Sequence, residues 1–369
     1  MIDFRYHIVS LISVFLALAV GIALGAGPLK EAIGDTLTGQ VEQLRLDRDA
    51  LRTDLDAAEQ AQADQRAYLE AAAPQLISGS LTGRRVAVVT LGPADPDTAA
   101  AVRAQLEAAG ASVSARVAVT DNWTDPELRS FRQALAGNLV TRLDPTPAAD
   151  AGTDVELAEA LAQGLTGADP AAPDELSEPA SLILQLLADA DSALITVEDA
   201  ISAPADAIVV LTSSAVADEG ASPAPTADVR AAQVAIAAAA QARSEGAVVA
   251  ARWVTEGDLA STILGDDALA SRLTTVTGVT QVTGQLSVPL ALNARIGGVV
   301  GHFGFGDGQT PFPARGPRGP QVERPDRAPA RCRHGGGGGH APGALGARVR
   351  IARPARRRAR TLDPDQPPG

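Results

Sequence analysis

The chain has 369 residues, a length that allows two modest domains or one domain with appended segments. Hydrophobic residues make up 46%, enough for a packed core, and the single cysteine, Cys332, excludes an intramolecular disulfide framework and a cysteine-based zinc or iron–sulfur site. The net charge of −13 argues against nucleic-acid binding, which needs a basic surface. The charge is unevenly distributed: residues 311–369 hold thirteen of the 31 basic residues but only four of the 44 acidic ones, so residues 1–310 are strongly acidic.

A long apolar segment opens the chain and predicts a membrane anchor over residues 1–29. Ile8–Ala26 contains nineteen residues without a charge, enough to cross a bilayer as a helix. Arg5 precedes it and an acidic body follows, which favours a cytoplasmic N-terminus with the bulk of the protein outside the cell membrane. The alternative is a signal peptide cleaved near residues 23–25, but the short charged region containing Asp3 and the long apolar run favour an anchor that stays attached.

The next segment, residues 30–78, has the heptad pattern of a coiled coil. Apolar residues recur at steps of four and three, while Arg48, Gln62 and Gln65 interrupt the seam. We predict a parallel homodimer, with a solvated single helix as the alternative, and Pro74 and Gly79 are expected to end the helix. The predicted oligomerisation residues are Leu37, Val41, Leu44, Leu51 and Leu55.

Residues 79–308 alternate between strand-like and helix-like segments. This alternation predicts a Rossmann-like α/β domain of three layers with a mostly parallel sheet. The predicted strands are Val86–Leu91, Ala111–Thr120, Asp206–Ser213 and Gly246–Arg252. The predicted helices are Asp125–Gly137, Asp154–Leu165, Ala180–Ala190, Ala227–Ser244 and Leu286–Ile296, the last interrupted by Pro289, and residues 145–152, 166–179 and 218–225 are predicted loops.

The body has no recognisable catalytic motif, so we expect a protein that is not an enzyme and has no bound cofactor. The turn after the first strand contains only Gly92, followed by Pro93, whereas a dinucleotide site needs several glycines there. The only lysine is Lys30, which excludes a phosphate-binding P-loop in the body.

Three groups of side chains have both a binding and a structural interpretation. His302, among glycines, is a weak candidate metal ligand or a turn residue with a satisfied imidazole. Trp123 and Trp253 would form the core or its rim, or a ligand platform. A third group would either hold a hard cation or cap helices: Asp95, Asp97, Asp121 and Asp125.

The tail, residues 309–369, changes in composition to Arg, Pro, Gly and Ala, with five glycines at 335–339. It has no apolar periodicity, which predicts disorder. Because Arg, Pro, Gly and Ala are all encoded by GC-rich codons, this change in composition favours either a frameshift or an idiosyncratic tail.

The opening string MIDFRYHIVSLISVFLALAVGIALGAGPL, the heptad segment, the strand at Val86 and the late Gly301–Gly304 motif together resemble the actinobacterial copper transporter (MctB) family over residues 1–308. The resemblance implies a cell-envelope protein of copper efflux and copper homeostasis, described as pore-forming in the mycobacterial outer membrane. It also implies a link to cell division. The alternative function is therefore a non-enzymatic envelope scaffold that regulates peptidoglycan hydrolysis through a partner membrane protein.

Copper would be the transported ion in this family. Soft copper prefers Cys, Met and His ligands, and the region of resemblance offers only Met1, His7 and His302. We therefore expect the chain to act on copper indirectly or within an assembly. The expected location is the cell membrane, with the outer membrane as the alternative implied by the resemblance.

Overall fold

The computed structural model describes residues 4–26, 28–93, 95–189, 192–212 and 226–313. The chain begins with two helices, α1 (Phe4–Ala26) and α2 (Pro28–Ile77). With 50 residues, α2 is about 75 Å long at 1.5 Å per residue. The predicted tail from position 314 onwards and the predicted loop at residues 218–225 lie outside the described residues.

A seven-stranded sheet forms the centre of the α/β body, in the order β5-β2-β1-β6-β7-β8-β9. All neighbouring strands are parallel except β5, which runs antiparallel to β2 at one edge. The strands are β1 (Arg85–Leu91), β2 (Ser112–Val119), β3 (Ala168–Asp169), β4 (Ala172–Leu176), β5 (Ile195–Asp199), β6 (Ala207–Thr212), β7 (Ala247–Ala251), β8 (Thr274–Thr277) and β9 (His302–Phe303), of which β3 and β4 form a separate hairpin.

Helices cover both faces of this sheet. They are α3 (Pro96–Ala108), α4 (Arg129–Val140), α5 (Thr153–Thr166), α6 (Glu178–Leu187), α7 (Ala227–Ala242), α8 (Leu259–Leu264), α9 (Asp267–Ala270) and α10 (Val282–Ile296). Two short 3₁₀ turns, Asp121–Trp123 and Pro126–Leu128, lie between β2 and α4.

Each face of the sheet has its own apolar core because successive side chains of a strand point to opposite sides. Along β1, Ala87, Val89 and Leu91 pack with α4, α5, α6, α7 and α8. Val86 and Val88 pack on the other face with α3, α10 and the end of α2. The structure therefore confirms the predicted three-layer α/β class with a mostly parallel sheet.

The end of α2 belongs to the body. Ala73 and Ile77 are buried in the second core, and Asn293 of α10 donates a hydrogen bond to the carbonyl of Ser80 at 2.6 Å. Because this packing holds the last turn, the helix continues through Pro74, and the prediction that Pro74 would end it was wrong. Gly79 follows with a φ of 74°, in the left-handed region that glycine favours.

Three other predictions need correction. Residues 166–179 were expected to be a loop but contain the β3–β4 hairpin. The last helix begins at Val282 rather than Leu286, and Pro289 does not interrupt it, because buried residues on both sides of this proline hold the helix in place. His302 lies at the start of β9 rather than in a turn.

Candidate functional site

The first functional element is α1, whose segment Phe4–Ala23 is the described helix that is long and apolar enough to cross a bilayer, with a mean hydropathy of 2.2. Its described side chains, residues 4–23, are all exposed. An exposed apolar helix of this length is typical of a membrane segment. A signal sequence has the same character, so retention of the anchor stays a prediction.

The second element is the exposed face of α2. The predicted seam residues Leu37, Val41, Leu44, Leu51 and Leu55 lie on one continuous helix and are between 45% and 69% exposed in the single chain. Arg48, which interrupts the seam, forms an ion pair with Asp49 at 2.5 Å. The helix is confirmed, whereas the coiled coil and the homodimer stay predictions.

A polar cavity of about 320 Å³ lies where α4, α5 and α7 begin. Its walls include Thr124, which follows β2, and side chains from the first turns of the three helices: Arg129, Arg132, Thr153, Asp154 and Asp228. In parallel α/β sheets, the loops that follow the carboxyl ends of the strands are the usual place for a ligand. This cavity is therefore the best-placed candidate ligand site in the described body.

A smaller, mostly apolar cavity of about 110 Å³ shares Thr124 with the polar one. It includes Gly92, whose φ of 75° lets the chain turn sharply as it leaves β1. Its apolar walls are formed by Leu91, Val119, Trp123, Val229, Ala232 and Ile236.

The charged groups of the polar cavity differ in burial. Arg132 is only 7% exposed, and its Nη1 donates to the carbonyls of Asn122 at 3.0 Å and Asp125 at 2.6 Å. Burial raises the pKa of the Asp154 carboxyl, the Arg132 guanidinium opposes that increase, and the like charge of Asp228 adds to it. The sequence had not suggested Arg132, Asp154 or Asp228 as a site, because they lie in the first turns of three different helices.

Two of the four aspartates in the predicted group cap helical turns. Asp95 accepts hydrogen bonds from the Thr98 side chain and amide at the start of α3, which lower the pKa of Asp95. Asp125 accepts from the Glu127 amide at 2.8 Å. Within the described residues, no group of three His, Cys, Asp or Glu side chains could hold a metal ion. Asp95 and Asp125 therefore act as helix-capping residues in this structure.

The two tryptophans lie in different surroundings. Trp123 is 1% exposed and belongs to the first core, while its indole Nε1 has no hydrogen-bond partner in the described part of the chain. Trp253 is 43% exposed. Trp123 is thus a core residue that also forms part of the smaller cavity.

Both ring nitrogens of His302 are engaged in hydrogen bonds. Nδ1 lies 2.9 Å from the Thr275 hydroxyl and Nε2 lies 3.1 Å from the Ala270 carbonyl. A carbonyl only accepts, so these partners assign the proton to Nε2 and make Nδ1 the acceptor. A metal bound at Nδ1 would displace the Thr275 hydrogen bond.

Comparison with known proteins agrees with the sequence resemblance. The model of a family described as "Copper transport outer membrane protein, MctB" matches residues 1–313. Proteins named "Copper transporter MctB" from Mycobacterium tuberculosis and Mycobacterium bovis are each 30% identical to this chain over 323 residues, covering 84% of this chain and 98% of the relative. The match includes the apolar helix, the long helix and the α/β body, and the chain therefore belongs to the MctB family.

Proposed function

We propose that this chain is a membrane-anchored, non-enzymatic component of copper transport across the cell envelope, with copper efflux as its contribution to copper homeostasis. The observation that supports this most directly is the extent of the family match. It begins at residue 1 and continues to residue 313, so anchor, long helix and body all have counterparts in relatives named as copper transporters.

The chemistry of the described residues favours a role within an assembly over a resident copper site in the body. Cu(I) is a soft ion that prefers thiolate, thioether and imidazole ligands. Of the described histidines, His302 already uses both ring nitrogens, and His7 lies within the apolar helix α1. Copper is thus proposed as a passing substrate, with α1 and α2 as the elements that bring further chains together.

Growth of a deletion strain tests this function. Loss of the gene should increase sensitivity to copper, and expression of the full chain should restore the wild-type tolerance. Sensitivity to zinc, measured in the same strains, is the matched control and should not change. Unchanged copper tolerance in the deletion strain would reject the proposed function.

The proposed location is the cell membrane, with the N-terminus in the cytoplasm and the bulk of the chain outside. This location differs from the family description, which names an outer membrane protein. Fractionation of the envelope followed by N-terminal sequencing tests it. The proposal expects the chain in the inner-membrane fraction with its N-terminus at or near Met1, and a start near Ala26 or recovery in the outer-membrane fraction would reject it.

A further inference from the structure

The polar cavity has an electrostatic character that favours a charged ligand. Three helices of 12, 14 and 16 residues begin at its walls, with Arg129, Thr153 and Asp228 in their first turns. The first amides of a helix have no partner inside the helix and carry a partial positive charge. This potential favours an anionic group in the cavity.

Arg132 provides a specific partner for such a group. Its guanidinium is held by the two carbonyls that Nη1 contacts, while Nε and Nη2 form no hydrogen bond within the described residues. Neither of these nitrogens is among the fully enclosed unpaired polar atoms, although the residue as a whole is only 7% exposed. A buried, fixed guanidinium with two free nitrogens, Nε and Nη2, is suited to bind a carboxylate in a bidentate manner.

The Asp154 carboxylate lines the same cavity as Arg132 but forms no ion pair with it. Asp154 is half-buried and, in the described part of the chain, makes no hydrogen bond and no ion pair within 4.0 Å. Arg132 and Arg129 are nevertheless near enough to act on its charge, and Asp228 adds a second carboxylate. The cavity therefore presents separate cationic and anionic groups, as an ammonium-and-carboxylate ligand requires.

The smaller cavity offers space for an apolar part of such a ligand. It shares Thr124 with the polar one and is lined by the apolar side chains already named, together with Thr120, Asp121 and Gln233. Trp123, which is only 1% exposed, forms part of its wall. An apolar side chain entering here would place its polar head between Arg132 and Asp154.

We propose that the two adjoining cavities bind a free α-amino acid with an apolar side chain. Its carboxylate pairs with Arg132, its ammonium group pairs with Asp154 and Asp228, and its side chain occupies the smaller cavity. The combined volume, about 320 Å³ and about 110 Å³, is at the lower end of the range for small-molecule sites and suits a ligand of this size. This inference is independent of copper transport, and either can fail alone.

Calorimetric titration of the full chain in detergent with L-leucine tests the proposal. One saturable site is expected. 4-Methylpentanoate, which is L-leucine without the ammonium group, and isoamylamine, which is L-leucine without the carboxylate, should bind at least about tenfold more weakly, because each loses a charge-assisted interaction. The absence of saturable binding, or equal binding of 4-methylpentanoate and L-leucine, would overturn it.

Variants separate recognition from folding. Asp154→Asn keeps the size of a side chain that has no hydrogen-bond partner in the described residues, so the protein should fold, while its affinity for L-leucine falls at least about tenfold. Arg132→Lys should also weaken binding, and its thermal unfolding is measured beside it because Arg132 supports the loop at Asn122. The exposed Asp150, outside the cavity, gives the matched control Asp150→Asn, which should bind as wild type. A folded Asp154→Asn variant with wild-type affinity would refute the proposed ligand class.

Discussion

Replacing Leu44, Leu51 and Leu55 together with Asp should abolish self-association of the chain. In the single chain these side chains are 67%, 69% and 57% exposed, so roughly a third of each is already covered by the helix itself. Burying the remainder against a second copy of α2 would contribute about 1–2 kcal/mol for each leucine, somewhat less than for a fully exposed side chain.

The three leucines together amount to about 3–6 kcal/mol per chain. Since 1.4 kcal/mol corresponds to a factor of ten, the dissociation constant should rise at least about a hundredfold. The matched control is Leu46→Asp. Leu46 is 57% exposed on the same helix, like Leu55, but lies outside the heptad seam, so this change should leave the association intact.

Sedimentation of the full chain in detergent measures the association, and circular dichroism on heating measures the folding. The seam leucines lie outside both cores of the body, so the triple variant should unfold at the temperature of the wild type. A wild type that is monomeric at the highest concentrations reached would refute the reasoning. So would a triple variant that stays dimeric, or a Leu46→Asp variant that dissociates equally.

Three further predictions concern the body. Ile77→Ala should lower the free energy of unfolding by about 2–5 kcal/mol because Ile77 is fully buried, whereas Leu76→Ala at a 37% exposed position should cost less than about 1 kcal/mol in the same urea melts. Burial raises the folded-state pKa of Asp154 above its unfolded value, so the folded state binds the carboxyl proton more tightly than the unfolded state does. The stability that this proton contributes is lost as the pH rises through about 4 and above. The free energy of unfolding of Asp154→Asn, relative to that of the wild type, should therefore increase with pH. Titration of the chain with Cu(I) should reveal no site tighter than about micromolar, and a stoichiometric nanomolar site that disappears in His302→Ala would contradict this.

The central strands could be predicted because each is a continuous apolar run. Val86–Leu91 and Ala247–Ala251 are buried on both faces of a parallel sheet, where no polar alternation is needed. The edge strand β5 was missed because four of its five residues are exposed and its sequence, ITVED, has little apolar content. The four threonine-rich residues of β8 and the two of β9 are stabilised by pairing with neighbouring strands rather than by a local pattern.

The membrane helix and the leucine spacing of α2 depend on local sequence, and both helices lie where the sequence placed them. The cavity could not be found in this way. Arg132 and Asp154 are separated by the loop after α4, and Asp228 by most of the body, so only the packing of three helix starts brings them together. The apolar periodicity of α4, α5 and α7 predicts helices but does not predict which of their first turns will face one another.

The two ends of α2 connect the proposed oligomer to copper transport. Ile77 is fixed in the core of the body, while the exposed seam lies towards α1, so pairing two copies of α2 would bring two apolar α1 helices close together. One apolar helix cannot enclose a polar passage for an ion, because its backbone and side chains offer lipid-facing surface on every side. Transport through this protein therefore requires several chains or a partner.

The triple Leu44, Leu51 and Leu55→Asp variant should accordingly fail to restore copper tolerance in the deletion strain, whereas Leu46→Asp should restore it at equal expression. If the triple variant is monomeric yet restores full tolerance, self-association through α2 is not what copper transport needs, and the membrane partner must be a different protein.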